Sequence, residues 1–270
     1  KGAHVIIAGR DLTKARSAAV EMREATGNSH IEEIECDLAS QTQLLACGEE
    51  ARSRFEKIDI LINNAAVMAC PYAETKDGFE LQFGTNHLGH FTLTNELLPL
   101  VEKGDAPRIV NLSSRAHHNS PVNMDDPNFD DREYEKWSSY GQAKTANVLH
   151  VVELEKRLGG RGIHAYAVHP GGIQTNLGRH LTEDDIKALM ARLGKGDGDY
   201  SWKTIPQGAA TTCYAATAPE LEGEGSVYLE DCHVAEIDDE RDDGGVRSYA
   251  LDEASADKLW QLSEKLVAKC

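Results

Sequence analysis

Short apolar runs alternate with helix-patterned stretches along this sequence, and that alternation constrains the fold more than any other feature. The runs at 5–8, 31–36, 58–62, 108–112, 163–168 and 226–229 have the length and bounding turn residues of strands. Between them, 11–26, 40–57, 77–102 and 139–158 carry helical spacing, as do 181–193, 207–216 and 252–267 farther on. Asp11 precedes the first helix as a cap and Gly27-Asn28 stops it. In the last helix Leu259, Leu262 and Leu266 recur at i, i+3 and i+7. The polar stretch 117–137 reads as a loop. Strand and helix in strict alternation predict an α/β fold, a doubly wound parallel sheet with helices on both faces. No internal repeat or composition shift divides the chain, so a single domain is expected.

Composition narrows the function. The chain has 270 residues, with 45 Asp plus Glu against 28 Lys plus Arg and a formal charge of −17, so phosphate-rich partners are repelled and no nucleic acid is expected. No run of about 18 apolar residues exists to form a membrane segment. The six cysteines are scattered without a C-x-x-C pair, which suits a reducing, cytoplasmic setting without disulfides or zinc. His87 and His90, and the adjacent His117 and His118, lack a third ligand at metal-binding spacing. The acidic stretch 238–243 has Asp243 where a calcium loop needs glycine, so no metal is expected there either.

In parallel sheets ligands sit beyond the carboxyl ends of the strands. There this sequence places Arg10, Asp37, Asn63-Asn64, Ser113-Ser114 and Pro170-Gly171. A tyrosine four residues before a lysine on a helix puts both on one face, where the ammonium favours the phenolate and fits the tyrosine for proton transfer. Tyr140-Gly-Gln-Ala-Lys144 has that spacing at the start of a helix. With 8 Tyr and 14 Lys the pattern arises by chance about 0.4 times. A second copy, Tyr72 with Lys76, follows Pro71 in a loop and is read as a solvent-exposed coincidence.

The motifs together resemble the short-chain dehydrogenase/reductase family. Asn63-Asn64-Ala65-Ala66 is similar to the family's Asn-Asn-Ala-Gly, with Ala66 in place of the usual glycine. Asn86, within Thr85-Asn86-His87-Leu88-Gly89-His90-Phe91, resembles the family's helix asparagine. The segment Ile109-Val110-Asn111-Leu112-Ser113-Ser114 resembles the strand delivering the substrate-orienting serine, with Ser114 the better match. The segment from His169-Pro170-Gly171-Gly172 to Ile173 and Thr175 resembles the one touching the nicotinamide. The wording is nearest the retinol-dehydrogenase-like and WW-domain-oxidoreductase-like branch. The resemblance implies a Rossmann-type fold with Tyr140 as general acid/base. Lys144 would lower the tyrosine's pKa and hold the nicotinamide ribose, and Ser114 would stabilise the substrate oxygen. Asn86 would position a water linking Lys144 to solvent. Asn64, Ala65, Ala66, Pro170, Gly171, Ile173 and Thr175 would line the cofactor.

Arg10 follows the strand whose end selects the cofactor; an arginine there accommodates the 2′-phosphate of NADP, while Asp11 beside it keeps NAD open. Asp37, followed by Leu38, resembles the aspartate that meets the adenine ring. The family's Thr-Gly-x-x-x-Gly-x-Gly turn has no counterpart, and the chain opens on Lys1-Gly2-Ala3-His4 without methionine. We therefore expect a fold lacking its first strand and helix, a fragment preceded in the natural protein by roughly 30 residues; a membrane anchor could lie in that segment. The expected activity interconverts an alcohol and its carbonyl with NADP. Two rival readings remain: a non-catalytic nucleotide sensor on the same fold, and an epimerase or dehydratase of the related extended fold. The branch suggests a small lipophilic alcohol or carbonyl substrate, covered by 176–206. Homo-oligomers through the helices at 77–102 and 139–158 are common in the family.

Overall fold

The computed structural model describes residues 2–192 and 202–270. Strand β1 (Val5–Gly9) leads to helix α1 (Leu12–Thr26), then β2 (Ile31–Glu35), α2 (Gln41–Arg54) and β3 (Ile60–Asn63). Asp11 caps α1 by accepting from the Thr13 and Lys14 amides, and Gly27 closes it in the left-handed region at φ 69°. Next come α3 (Leu81–Phe83), a π-helical turn (Gly84–Leu88) and α4 (Gly89–Val101). Then follow β4 (Arg108–Leu112), α5 (Lys136–Leu158), β5 (His164–His169), α6 (Glu183–Arg192), α7 (Ile205–Thr217), β6 (Val227–Glu230), β7 (His233–Val234) and α8 (Glu253–Val267). The end of the helix expected at 181–193, and part of the substrate cover expected at 176–206, lie outside the described residues.

The expected α/β architecture is present, and the strands divide into two sheets. β1 and β2 pair in parallel, while β3, β4, β5, β6 and β7 form a second sheet in that order. Neither sheet pairs with the other among the described residues, so β1 and β3 each carry an open edge; Val5, Ile60 and Ile62 are exposed there. The strand expected to be last is followed by β7, which pairs antiparallel with β6. Two residues are too few for alternation to announce it.

The helix expected over 77–102 begins later. Thr75 and Glu80 hold the preceding turn, with the Glu80 carboxylate accepting from the Gln82 and Phe83 amides. Its first full turns are π-helical and carry Asn86. π-Turns often accompany functional sites because the extra residue redirects side chains. Gly89 follows because a Cβ there would lie 2.5 Å from the Leu38 carbonyl oxygen.

The core lies around β4, β5 and α5. All five residues of β4 are buried, and so are 17 of the 23 in α5. Helix α8 packs along α5, its Trp260 ring 4.9 Å from Phe91 and 5.8 Å from His150. Helix α5 is thus enclosed within the chain over most of its length. Among the described residues no helix is long and apolar enough to cross a membrane, and no group of three His, Cys, Asp or Glu side chains is placed to hold a metal.

Candidate active site

Parallel pairing sets the site. Leu112 pairs with Val168, so Ser113-Ser114 and His169-Pro170 leave adjacent strand ends together. Beyond them opens a cavity of about 1690 Å³ whose wall includes Ser114, Tyr140, Lys144, Asn64, Ala66 and Gly171. Ala65, Pro170, Ile173 and Thr175 complete the expected residues on that wall. Arg10, Asp37 and Asn86 do not reach it.

Tyr140 and Lys144 rise from the first turns of α5, Tyr140 3% and Lys144 2% exposed. Gly141 lets α5 approach the turn after β4, since a Cβ would lie 2.7 Å from the Ala116 carbonyl oxygen. The Lys144 ammonium lies 5.7 Å from the centre of the Tyr140 ring and donates to the Leu112 carbonyl at 2.9 Å. Burial governs both groups: it raises the Tyr140 phenol to about 12, opposed by the Ser114 hydroxyl, and brings the Lys144 ammonium down to about 7. The direction is opposite to the lowering expected from Lys144: in the protein alone, loss of water outweighs the hydrogen bond with Ser114.

The two serines separate. Ser113 Oγ is buried and donates to the Lys144 carbonyl at 2.9 Å, tying β4 to α5. Ser114 is partly open, its Oγ turned toward the cavity and Tyr140 while accepting from the Ala116 amide at 3.1 Å. Asn63 and Asn64 separate likewise. Asn63 is buried and donates to Thr94 and Asn111, whereas Asn64 faces the cavity.

The Asn86 side chain is engaged by the backbone of Val67. Its Oδ1 accepts from the Val67 amide at 2.9 Å and its Nδ2 donates to the Val67 carbonyl at 2.8 Å. Both ends of the side-chain amide are spent on one backbone residue. Asn86 therefore fixes the strip running from Asn64 through Val67.

Toward β1, Arg10 is exposed just past the strand end. Asp37 pairs with Lys76 at 3.0 Å. Burial pushes the Asp37 carboxyl upward, but Lys76 and the Ala39 amide outweigh it and hold it below the usual range, with Arg10 adding to them. This pair also settles the second tyrosine–lysine spacing: Tyr72 turns to Glu74 while Lys76 turns to Asp37. The two side chains do not form a pair.

Several wall residues were not singled out from the sequence. Met68, Trp137, Leu177, Leu181 and Trp202 add apolar surface to the wall. Lys203 bonds Asp231 and donates to the Pro170 carbonyl, bracing the loop after β5 against the turn after β6. Gly171, at φ +90°, leaves room for it: a Cβ would lie 2.7 Å from the lysine side chain. Arg115 also faces the cavity. Its position directly after Ser114 was the available signal.

A family description, short chain dehydrogenase, matches residues 1–186. Retinol dehydrogenase 14 of Homo sapiens is 39% identical over 98% of this chain and 79% of its own length. The chloroplastic short-chain dehydrogenase TIC 32 B of Brassica napus is 40% identical, over 99% of this chain and 82% of its own. Among solved structures, an uncharacterised protein from Mycobacterium Paratuberculosis superposes with a TM-score of 0.71 at 34% identity, covering 99% of this chain and 85% of that one. The chain belongs to the short-chain dehydrogenase family, on its retinol-dehydrogenase-like branch, and is an oxidoreductase.

Proposed function

We propose that the protein interconverts an alcohol and its aldehyde or ketone, with Tyr140 as the proton-transferring group and a nicotinamide dinucleotide, NADP before NAD, as the redox partner. The observation that carries this reading is the buried Tyr140–Lys144 pair opening, with Ser114, onto one cavity at the ends of β4 and β5.

The residues present suit such a cofactor. Arg10 offers a guanidinium at the strand end where a 2′-phosphate would sit, and Asp37 stands beside it for the adenine end. Asn64, Ala65 and Ala66 form one edge of the cavity, and Pro170, Gly171, Ile173 and Thr175 the other. When bound, the nicotinamide supplies the hydride.

In the reducing direction the carbonyl oxygen gains negative charge as its carbon is reduced. The Ser114 hydroxyl is placed to donate a hydrogen bond to that oxygen. Tyr140 gives it the proton, so one carbonyl takes up a hydride and a proton and leaves as an alcohol. Lys144, anchored on Leu112, stabilises the phenolate left behind and is placed to hold ribose hydroxyls. Asn86 acts at one remove by holding Val67 and with it the Asn64–Ala66 edge. The apolar wall suits a lipophilic substrate.

Assay of the full-length protein with NADPH and NADH against lipophilic aldehydes and ketones tests the reading. Tyr140→Phe should lower turnover by about 10²–10⁴-fold while cofactor affinity stays nearly unchanged. Undiminished turnover in that variant rejects the mechanism. Cofactor binding without turnover of any carbonyl favours the nucleotide sensor.

A further inference from the structure

The charged groups around the cavity are matched, with one exception. Glu135 caps α5 by accepting from the Trp137 and Ser138 amides, and Glu230 accepts from the Gly245 amide. Asp231 is paired with Lys203, Asp242 with Arg247 and Asp243 with Arg241. Arginines drawn into the fold elsewhere also have partners. Arg108 donates to the Ala215 and Ala218 carbonyls, Arg132 meets Asp126 and Gln142, and Arg247 holds the Asp238 carbonyl.

Arg115 differs from all of these. It is partly buried, lines the cavity one residue after Ser114, and has no hydrogen bond or ion pair among the described residues. Arg115 helps hold the Asp243 carboxyl below its usual range, but that carboxylate is 81% exposed and bonded to Arg241 at 3.1 Å. The nearby His118 and His169 side chains are held neutral, chiefly by burial, so they do not share its charge. A guanidinium that faces a cavity without a partner of its own offers its N–H donors to an anion there.

We propose that Arg115 is the carboxylate-binding residue of the substrate site, and that the substrate is an amphiphilic carbonyl compound or alcohol carrying one carboxylate. This rests on the oxidoreductase reading above and adds a charge to the substrate. The planar fork of arginine binds a carboxylate through two parallel hydrogen bonds. Of the four cations on the wall, Lys144 is spent on the Leu112 carbonyl, Arg179 on the Asn176 carbonyl and Lys203 on Asp231. One unmatched cation facing five wall carboxylates, in a chain of charge −17, fits a monoanion better than a phosphate dianion. The apolar wall formed by Met68, Trp137 and Leu177 takes the hydrocarbon part.

The test compares ω-oxo carboxylic acids of several lengths with unbranched aldehydes of matching length, reading kcat/KM with NADPH. At the best length the acid should be preferred by about tenfold to a hundredfold, the worth of one hydrogen-bonded charge pair. Arg115→Met should remove that preference, and Arg115→Lys should retain part of it, which covers failure of the Met variant to fold. Calorimetric binding of decanoate, independent of turnover, should weaken about tenfold or more in Arg115→Met. Turnover of neutral aldehydes without acid preference, or a preference untouched by Arg115→Met, overturns the proposal and leaves the oxidoreductase reading standing. Decanoate binding that depends on Arg115 without turnover of any carbonyl supports the anion site and rejects that reading instead.

Discussion

The region built on β1, α1 and β2 and the region built on β4, α5 and β5 hold opposite ends of the site on very different supports. None of the five residues of β1 is buried, and α1 buries only Ala15 and Ala19. In the second region every β4 residue is buried and α5 is enclosed nearly throughout. Arg10 and Asp37 therefore sit on a thinly packed pair of strands, whereas Tyr140, Lys144 and Ser114 project from the densest part of the molecule. The difference follows the pairing: β4 lies between β3 and β5, whereas β1 pairs with β2 alone among the described residues and carries an open edge.

Core truncation gives the largest expected contrast. Leu149→Ala in α5, 1% exposed, should cost about 2–5 kcal/mol. Val20→Ala in α1, 48% exposed, should stay within about 0.5 kcal/mol. Urea unfolding of the two variants measures both; equal losses would erase the distinction between the regions.

Acid should weaken the second region selectively. Burial lowers His90 to about 4, His117, His150 and His169 to about 3, and His87 well below its usual value. Between the unfolded value near 6.5 and these folded values the unfolded chain binds more protons. Stability is therefore whole above about pH 6.5 and declines as pH falls toward 4. Urea midpoints should drop steadily over that window, and hydrogen exchange should speed in α5 and β5. A flat profile would mean these rings are not held neutral.

The smallest effect concerns the cofactor end. Arg10→Glu should shift the ratio of NADPH to NADH affinity by about tenfold toward NADH, read by equilibrium titration. An unchanged ratio would remove Arg10 from cofactor choice.

Much of this was legible residue by residue. Asp11 caps where its side chain said it would, because capping is decided within one helical turn. Tyr140 and Lys144 share a helix face because four residues nearly complete a turn. Tyr72 and Lys76 have the same spacing, but no helix carries them and each found another partner. The start of the helix before Asn86 was misplaced because Thr75 and Glu80 hold their turn through hydrogen bonds that periodicity does not register.

The sequence by itself determined the alternating order of strands and helices, the strand ends where chemistry collects, and the residues that could perform it. Those are local matters of periodicity, capping and side-chain type. Only the tertiary structure decided which of those residues share a cavity, that burial raises the Tyr140 phenol, and that Asn86 is spent on Val67. It also decided that Arg115 is left unmatched where Asp243 and Glu135 are not. These depend on the balance between desolvation and pairing at each position, which is set by neighbours distant in the chain.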